Sequence, residues 1–315
     1  MIVVTGGAGF IGSNLVRALN ARGRDDILLV EDLSDGHKAL NLSDCRIADY
    51  LDHEECLRVL DSGGSLAAAI ETVFHLGACS DTTEWDGRYM MARNFRFSRA
   101  LLEYCAARAI PFVYASSAAV YGAGTQFAED PANEHPLNVY GYSKLAFDQY
   151  VRGRLSALES LVVGLRYFNV YGPREQHKGR MASVVWHLSR QLEEDGRMRL
   201  FGASHGCAAG EQRRDFVHVD DVVDVTLWSA TLSPAASGIY NCGTGRAETF
   251  NAVAQALAAE HGSGAIEYID FPAGLREAYQ AYTQADLTRL RAAGYARQPR
   301  DVARGVGEYL RWLRS

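Results

Sequence analysis

Hydrophobic residues in the first half of the chain form short runs that alternate with segments of helical periodicity. The run Met1–Thr5 is rich in β-branched residues and ends at glycines, and residues 10–21 then show the spacing of an amphipathic helix. A second helical pattern extends from Arg88 to Ala107. Further apolar runs begin near Ile27, Thr72, Pro111 and Ser160. Strands that alternate with helices in this way predict an α/β fold with a doubly wound parallel sheet, covered by helices on both faces.

The pattern changes after Phe168, where glycine and charged residues become frequent as far as about Arg214. The segment RRDFVHVDDVVDV then indicates a return to the sheet domain. We therefore predict two domains whose segments interleave. Residues 1–170 with about 215–241 form the first domain, and residues 171–214 with about 242–315 form a smaller α/β domain.

Composition narrows the functional classes. The chain has 315 residues, of which 48% are hydrophobic, so it can bury a substantial core. A net charge of -6 argues against a nucleic-acid partner, although a local basic cluster could hold a small polyanion. No apolar run approaches the roughly 20 residues that cross a bilayer, and the first residues do not resemble a signal peptide. We therefore expect a cytoplasmic protein with no membrane partner.

The six cysteines are scattered without the CxxC spacing of metal-binding motifs. This spacing suggests neither a zinc site nor a disulfide framework. We expect free, mostly buried thiols and no metal site.

The segment TGGAGFIG places Gly6, Gly9 and Gly12 at the junction of the first strand and helix. Glycines suit this junction because the turn is tight, the backbone approaches a pyrophosphate, and the helix packs closely on the sheet. The helix N-terminus then offers N–H groups and a partial positive charge to the phosphates. The motif predicts a dinucleotide site.

Two acids and one base follow about twenty residues later. Glu31 and Asp32 end the second strand, where a carboxylate can accept hydrogen bonds from an adenosine ribose. Lys38 lies shortly after them and could instead pair with a ribose 2′-phosphate. The residues themselves therefore leave NAD and NADP both open.

A candidate chemical centre lies in SSAAVYG and in YGYSK. Tyr140 and Lys144 are four residues apart, so both side chains leave the same face of a helix. The pKa of a free tyrosine is about 10, but a neighbouring ammonium and a cationic nicotinamide ring would favour the phenolate. Tyr140 is therefore a candidate proton acceptor, and Ser117 could hydrogen-bond the same substrate oxygen.

The motifs TGGAGFIG, FHLGA and SSAAVYG, followed by Tyr140 and Lys144, have the order and approximate spacing of one enzyme group. In these features the chain resembles the extended short-chain dehydrogenase/reductase superfamily. The resemblance implies a Rossmann-type domain for a nicotinamide nucleotide, a C-terminal domain for a nucleotide sugar, and redox chemistry at a sugar carbinol. The superfamily's dehydratases carry an acidic pair near the position of Ser117, and because no acid is present here, dehydration is disfavoured.

Longer passages resemble one family in this superfamily, the ADP-L-glycero-D-manno-heptose 6-epimerases. They are GACSDTTEWDGRYMM, PLNVYGYSK, RYFNVYGPREQHKGRMASV, RRDFVHV and YQAYTQADLTRLRAAGY, and the resemblance covers nearly the whole chain. It implies that bound NADP oxidises C6 of ADP-D-glycero-D-manno-heptose and then reduces the ketone on its opposite face. The product would supply heptose for the inner core of lipopolysaccharide. The resemblance also suggests a homo-oligomer, with a pentamer as one option.

The same resemblance assigns roles position by position. Tyr140 serves one orientation of the C6 oxygen and Lys178 the other, with Ser117 and Lys144 assisting. Cations near Lys178, in PREQHKGR, and partial burial would lower its pKa. The residues expected to contact the cofactor are Gly6, Gly9, Phe10, Ile11, Gly12, Glu31, Asp32, Lys38, His53, Leu76, Gly77, Ala78, Cys79, Ser80, Arg93, Lys144, Val170 and Lys178. The residues expected to contact the sugar nucleotide are Ser117, Asn169, Arg180, His187, Phe201, Gly202, Ala203, Ser204, Arg214 and Tyr279.

Three positions depart from the family pattern. Arg93 replaces an asparagine that contacts the cofactor, although Asn94 beside it can keep the superfamily's asparagine role. Arg180 stands where some members have serine, and His53 stands where some have lysine. Two alternatives therefore stay open: another nucleotide-sugar epimerase or reductase, such as a UDP-sugar 4-epimerase, and a non-catalytic protein that senses a dinucleotide.

Overall fold

The chain forms two compact units in the computed structural model, which describes residues 1–272 and 279–315. Unit 1 comprises Met1–Val120, Asn138–Arg166 and Val223–Tyr240, and unit 2 comprises Tyr121–Leu137, Tyr167–Val222 and Asn241–Ser315. The units interleave along the chain. Residues 121–137, 167–170, 215–222 and 241 lie in unit 2, whereas the sequence predicted them in the first domain.

The strands in chain order are β1 (Ile2–Thr5), β2 (Ile27–Glu31), β3 (Asp49–Asp52), β4 (Thr72–His75), β5 (Phe112–Ser117), β6 (Val162–Tyr167), β7 (Asn169–Tyr171), β8 (Arg197–Phe201), β9 (Arg213–Arg214), β10 (Phe216–His218), β11 (Gly238–Cys242), β12 (Glu248–Thr249) and β13 (Ala265–Ile269). The α-helices are α1 (Phe10–Asn20), α2 (His53–Asp61), α3 (Gly87–Met90), α4 (Phe97–Ala106), α5 (Val139–Arg152), α6 (Val184–Asp195), α7 (Val219–Ser229), α8 (Phe250–His261), α9 (Thr288–Ala292) and α10 (Val302–Leu313). A π-helical segment, Met91–Arg96, joins α3 to α4. Short 3-10 helices span Gly36–Leu42, Ala118–Tyr121, Pro131–Asn133, Leu155–Ala157, Gln176–Met181 and Pro234–Ala236.

Unit 1 is built on a seven-stranded sheet with the order β3, β2, β1, β4, β5, β6, β11. The pairings of β1 with β2 and β4, of β2 with β3, and of β4 with β5 are parallel. The order β3, β2, β1, β4, β5, β6 within this sheet is that of a Rossmann fold. In such a sheet, ligands bind beyond the carboxyl ends of the strands, at the point where the strand order reverses. The predicted fold class is therefore confirmed.

The central strands form because their residues are apolar on both faces. Every residue of β1, β2, β4 and β6 is buried, as expected for parallel strands covered by helices on both sides. The edge strand β3, with the sequence DYLD, is exposed or half-buried and was missed because its polar residues give no apolar run. The helix predicted from Arg88 to Ala107 is present as α3, the π-helical segment and α4.

The described part of unit 2 contains three small two-stranded sheets and an apolar core of its own. β7 pairs with β10 and β8 with β13 in parallel, while β9 pairs with β12 antiparallel. The core packs buried residues of α6, α8 and α10, among them Leu188, Leu257 and Val306. The segment RRDFVHVDDVVDV returns to unit 1 only from Val223: Phe216–His218 pairs with β7 in unit 2, and the following valines are helical. Their spacing at Val219, Val222 and Val223 fits a helix better than a strand.

Candidate active site

The glycine loop after β1 is closely packed. Gly6 has a φ of 68°, in the left-handed region that favours glycine. A Cβ atom on Gly12 would lie 2.0 Å from the Gly6 carbonyl oxygen, and one on Gly6 would lie 2.6 Å from the Gly77 nitrogen. Gly9 precedes α1 and has no side chain to cap it, which leaves the start of the helix accessible to a phosphate.

A cavity of about 150 Å³ opens beside this loop at the ends of the central strands. Nine of the predicted cofactor residues line it: Gly6, Glu31, Asp32, Lys38, His53, Gly77, Ala78, Cys79 and Arg93. Thr5, Val30, Tyr89 and Phe97, which sequence analysis did not single out, complete the lining. The predicted residues Gly9, Phe10, Ile11, Gly12, Leu76, Ser80 and Lys144 also belong to unit 1, whereas Val170 and Lys178 belong to unit 2. The close glycine packing, the uncapped helix start and the strand-end cavity fit a dinucleotide.

The acids beside the cavity have different surroundings. Glu31 is buried, and its carboxylate accepts hydrogen bonds from the Ala8 nitrogen (3.0 Å), the Asp32 nitrogen (3.0 Å) and the Lys38 ammonium (3.3 Å). Glu31 therefore braces the glycine loop. Asp32 is partly exposed and pairs with Arg93 at 3.0 Å. Burial first, and then Arg93, lower the pKa of His53, so that its imidazole is neutral at pH 7.

Helix α5 positions the predicted catalytic pair. The side chain of Asn138 caps the helix by accepting a hydrogen bond from the Gly141 nitrogen at 2.8 Å. Tyr140 lies in the first turn and Lys144 one turn later. The Lys144 ammonium is buried and donates to the Ala115 carbonyl oxygen at 2.9 Å, directly before Ser116 and Ser117 at the end of β5. The structure therefore brings Ser117, Tyr140 and Lys144 together.

Burial dominates the proton affinities of this group. It raises the pKa of Tyr140, and a hydrogen bond from Ser117 offsets only part of this effect. Burial lowers the pKa of Lys144 to about 8, although the nearby Asp148 carboxylate favours the ammonium. In the protein alone, Tyr140 is therefore a phenol at neutral pH. Formation of the phenolate would require a further cation, such as the nicotinamide ring of a bound cofactor.

Two polar residues around this group, Asp148 and Asn94, are not among the residues predicted to contact the cofactor or the substrate. The fully buried Asp148 accepts hydrogen bonds from Tyr114, Ser116 and Arg166, at 3.0, 2.9 and 2.9 Å. Asp148 lies four residues after Lys144 and therefore on the same helix face, and this spacing could have predicted its proximity to Lys144. Asn94 lies in the π-helical segment and joins Cys79 to Ser143, through bonds of 2.8 Å from the Cys79 nitrogen and 2.9 Å to the Ser143 hydroxyl. Both residues hold the elements on which the predicted catalytic side chains stand.

In unit 2, Lys178 lies on the 3-10 helix Gln176–Met181 and is partly buried. The fully buried Glu175 precedes this helix, and its carboxylate accepts hydrogen bonds from the Gly172 nitrogen at 3.1 Å and the Ser183 hydroxyl at 2.8 Å. Glu175 therefore fastens both ends of the Lys178 segment. Burial lowers the pKa of Lys178, and the charge of Glu175 offsets part of that shift.

An aromatic cluster contains several of the predicted sugar-nucleotide residues of unit 2. The Arg214 guanidinium lies 4.7 Å from the centre of the Tyr279 ring, which packs against Phe201 and Phe271 at centroid distances of 6.3 and 5.1 Å. His205 lies 5.6 Å from the Tyr279 ring. Phe271 and His205 were missed because isolated rings carry no sequence pattern.

The remaining predicted residues of unit 2 are distributed over several elements. The Asn169 side chain in β7 accepts a hydrogen bond from the Thr283 hydroxyl at 3.1 Å, and Val170 follows it. Arg180 is exposed, and its carbonyl oxygen lies 3.4 Å from the His187 ring. Gly202, Ala203 and Ser204 follow β8, where Gln212 donates to the Gly202 carbonyl and the Ser204 hydroxyl. Ser117 belongs to unit 1.

Residues 1–272 and 279–315 contain neither a membrane-spanning helix nor a metal-binding cluster. No helix there has the length and apolar character of a membrane span, and no group of three His, Cys, Asp or Glu side chains could hold a metal ion.

The sequence pattern of one protein family matches most of the chain. This is the NAD dependent epimerase/dehydratase family, whose pattern matches residues 2–243. The chain belongs to this family. Because the chain belongs to this family and its strand-end cavity fits a dinucleotide, its cofactor is a nicotinamide dinucleotide.

Individual members of the family are also similar. An ADP-L-glycero-D-manno-heptose-6-epimerase of Alkalilimnicola ehrlichii is 62% identical over 310 residues, which are 98% of this chain and 96% of that protein. The crystal structure of the Helicobacter pylori ADP-L-glycero-D-manno-heptose-6-epimerase matches with a TM-score of 0.83 and 29% identity, over 100% of this chain and 96% of that one. A Thermus thermophilus UDP-glucose 4-epimerase in complex with NAD matches with a TM-score of 0.79 and 26% identity, over 100% and 99% of the two chains. The resemblance inferred from the motifs is confirmed.

Proposed function

We propose that the chain interconverts ADP-D-glycero-D-manno-heptose and ADP-L-glycero-D-manno-heptose by inverting C6. The observation that carries the substrate assignment is the 62% identity, over 98% of the chain, to a protein of that name. The epimerase/dehydratase family membership and the group of Ser117, Tyr140 and Lys144 support redox chemistry at a sugar carbinol. The same group disfavours a non-catalytic dinucleotide sensor, which has no need of a proton-transfer apparatus.

Tyr140 is the proton acceptor for the C6 hydroxyl in one orientation. Ser117 hydrogen-bonds the Tyr140 oxygen and can hold the substrate oxygen beside it. Lys144 is fixed by the Ala115 carbonyl and places an ammonium on the same helix face as Tyr140, where it would act together with the cationic ring of a bound nicotinamide to favour the phenolate. A bound nicotinamide dinucleotide would supply the hydride chemistry, which is oxidation of C6 to a ketone and reduction of that ketone on its opposite face.

Inversion requires the C6 oxygen to occupy two orientations, so a second proton carrier is needed. We assign this role to Lys178. Its partial burial favours the neutral amine, which can accept a proton, while Glu175 favours the ammonium, which can donate one. A lowered pKa brings the neutral amine closer to neutral pH, and a reaction that runs in both directions needs both the amine and the ammonium.

NADP is the proposed form of the cofactor. Lys38 and Arg93 both line the strand-end cavity and supply two cations for a 2′-phosphate. Burial lowers the pKa of His53, so it is a weaker cation for this phosphate than Lys38 or Arg93.

We assign the ADP portion of the substrate to unit 2. Arg214 and the rings of Phe201 and Tyr279 offer a guanidinium for phosphate and aromatic faces for a base. The other contacts proposed there are those of Asn169, Arg180, His187, Gly202, Ala203 and Ser204.

The test is conversion of the substrate without added cofactor. The purified chain is incubated with ADP-D-glycero-D-manno-heptose, and NMR resolves the two C6 epimers, with UDP-glucose as the matched control. The proposal predicts an equilibrium mixture of the ADP-heptose epimers and no UDP-galactose. Conversion of UDP-glucose alone would instead support the UDP-sugar 4-epimerase alternative.

A further inference from the structure

An ion pair lies in the wall of the strand-end cavity. Asp32 directly follows β2, and Arg93 lies in the π-helical segment between α3 and α4. The guanidinium Nη2 of Arg93 is 3.0 Å from Oδ2 of Asp32, and the side chains are only 25% and 32% exposed. Both residues line the cavity. The pair therefore links a strand end and a helix across the proposed adenosine site.

The charges around the pair balance. Among the described residues that line the cavity, the charged side chains are those of Glu31, Asp32, Lys38 and Arg93, because His53 is neutral. Glu31 already accepts three hydrogen bonds, one of them from Lys38. The other oxygen of Asp32, Oδ1, accepts from the Ser34 nitrogen at 3.0 Å. Asp32 also accepts a hydrogen bond from the Ser34 side chain, and Arg93 is the cation that pairs directly with its carboxylate.

We propose that Arg93 determines the preference for a 2′-phosphate and that Asp32 is its resident counter-ion. A guanidinium has five N–H donors in a planar fork, so Arg93 can keep one bond to Asp32 and donate others to a phosphate. Without Arg93, the carboxylate of Asp32 faces the 2′-phosphate uncompensated and repels it. Asp32 alone favours a free ribose hydroxyl, which can donate to it.

This inference rests on the proposed NADP cofactor and differs from a purely structural role for the pair. If Arg93 only tied β2 to the helix, its loss would weaken binding of NADP and NAD equally or lower stability alone. If Arg93 determines the cofactor preference, its loss should weaken NADP binding more than NAD binding. The size of that difference should also depend on the charge at position 32.

A double-mutant cycle separates these roles. The full chain, freed of bound dinucleotide, is titrated calorimetrically with NADP+ and with NAD+ as wild type, Arg93→Asn, Asp32→Asn and the double variant. Asn at position 32 keeps an oxygen that can accept from the Ser34 nitrogen. The control is Arg96→Asn, because Arg96 lies in the same π-helical segment and pairs with Asp61 at 2.9 Å in an exposed position. Thermal unfolding of each variant checks the fold.

The expected result is a weakening of NADP+ binding by about tenfold or more in Arg93→Asn, the usual scale for losing a hydrogen bond to a charged group. NAD+ binding should change much less. The double variant should recover part of the lost NADP+ affinity, since the uncompensated carboxylate is gone. Asp32→Asn alone should weaken NAD+ relative to NADP+, and Arg96→Asn should change neither.

Two results would overturn the proposed role of Arg93 and leave the proposed NADP cofactor in place. One is a wild-type preference for NADP+ that Arg93→Asn leaves intact, and the other is a double variant that binds NADP+ as weakly as Arg93→Asn. A wild type with no preference between the dinucleotides would overturn the proposed NADP cofactor together with this inference. None of these outcomes depends on ADP-heptose conversion, which is tested separately.

Discussion

The buried carboxylate of Glu175 accepts a hydrogen bond from the Ser183 hydroxyl at 2.8 Å, across the segment that carries Lys178. Ser183 in turn caps α6 through the Trp186 nitrogen at 3.2 Å. The position of Lys178 is therefore fixed by a carboxylate in the interior of unit 2 and not by the surface loop alone. A residue that carries a proton at a defined point benefits from such anchoring.

Tyr140→Phe and Lys178→Met should each abolish most epimerisation without unfolding the chain. Each change removes one proton carrier, and general acid–base groups typically contribute about 10²–10⁴-fold to a rate. Turnover of ADP-heptose by NMR measures the effect, and circular dichroism checks the fold. Lys38→Met, assayed at saturating NADP+, is the matched control for the loss of a lysine, because it should weaken cofactor binding and leave proton transfer intact. Wild-type turnover in Lys178→Met would contradict the two-carrier mechanism.

Glu175→Gln should shift the titration of Lys178 to lower pH. The charge of Glu175 favours the Lys178 ammonium, so its removal leaves burial, which lowers the pKa, less opposed. The lost bonds should also cost stability, by about 1–3 kcal/mol for an unsatisfied buried group. NMR titration of 13C-labelled lysine, assigned with Lys178→Met, measures the pKa directly. An unchanged Lys178 titration in a folded Glu175→Gln chain would exclude electrostatic coupling of the two groups.

Lys144 should make the stability of the chain depend on pH between about 8 and 10.5. Burial lowers its folded pKa to about 8 from the ordinary 10.5, with Asp148 acting in the opposite direction. Between those values the unfolded chain binds the additional proton, so this residue's contribution to stability rises with pH and is lost as pH falls towards 8.

Lys144→Met, which cannot titrate, isolates that contribution. The unfolding free energy of the wild type relative to Lys144→Met should increase from pH 8 to pH 10.5 in urea denaturation. A difference that stays constant over this range would show that the folded pKa of Lys144 is not lowered.

Gly12→Ala should impair both folding stability and dinucleotide binding. The added Cβ would meet the Gly6 carbonyl oxygen at 2.0 Å, and the backbone of the glycine loop would have to shift. Overpacking of this kind costs about 1–3 kcal/mol. Gly153→Ala is the control, since its Cβ would meet its nearest atom at an ordinary 3.6 Å. Thermal unfolding and calorimetric NADP+ titration of both variants measure the effects, and equal behaviour would mean that the loop tolerates a side chain at Gly12.

The sequence was sufficient for the parts of the fold that depend on local patterns. The strands beginning near Ile27, Thr72, Pro111 and Ser160 have apolar runs, and all four are present. In the seven-stranded sheet, β3 and β11 were missed: the first is a polar edge strand, and the second contains Gly238 and Asn241 and lies far along the chain from its neighbour β6. Segments whose structure depends on distant partners carry little local signal.

The same limit applies to the candidate site. The glycine loop and the spacing of Tyr140 and Lys144 were recognisable because backbone geometry and helix periodicity dictate them. The pair of Asp32 and Arg93 was not, because these residues are 61 positions apart and meet only in the folded chain. The buried role of Glu175 was hidden for a related reason, since a glutamate in a charged segment normally predicts a solvated surface.

The most direct test of oxidation and re-reduction at C6 follows the hydrogen on that carbon. ADP-D-glycero-D-manno-heptose labelled with deuterium at C6 is incubated with the purified chain in ordinary water, and the product is analysed by NMR. The proposed oxidation and reduction predict an L-glycero epimer that retains deuterium at C6, because the removed hydrogen returns to the same carbon. Formation of the epimer with solvent hydrogen at C6, or no epimer at all, would contradict epimerisation by oxidation and reduction at C6.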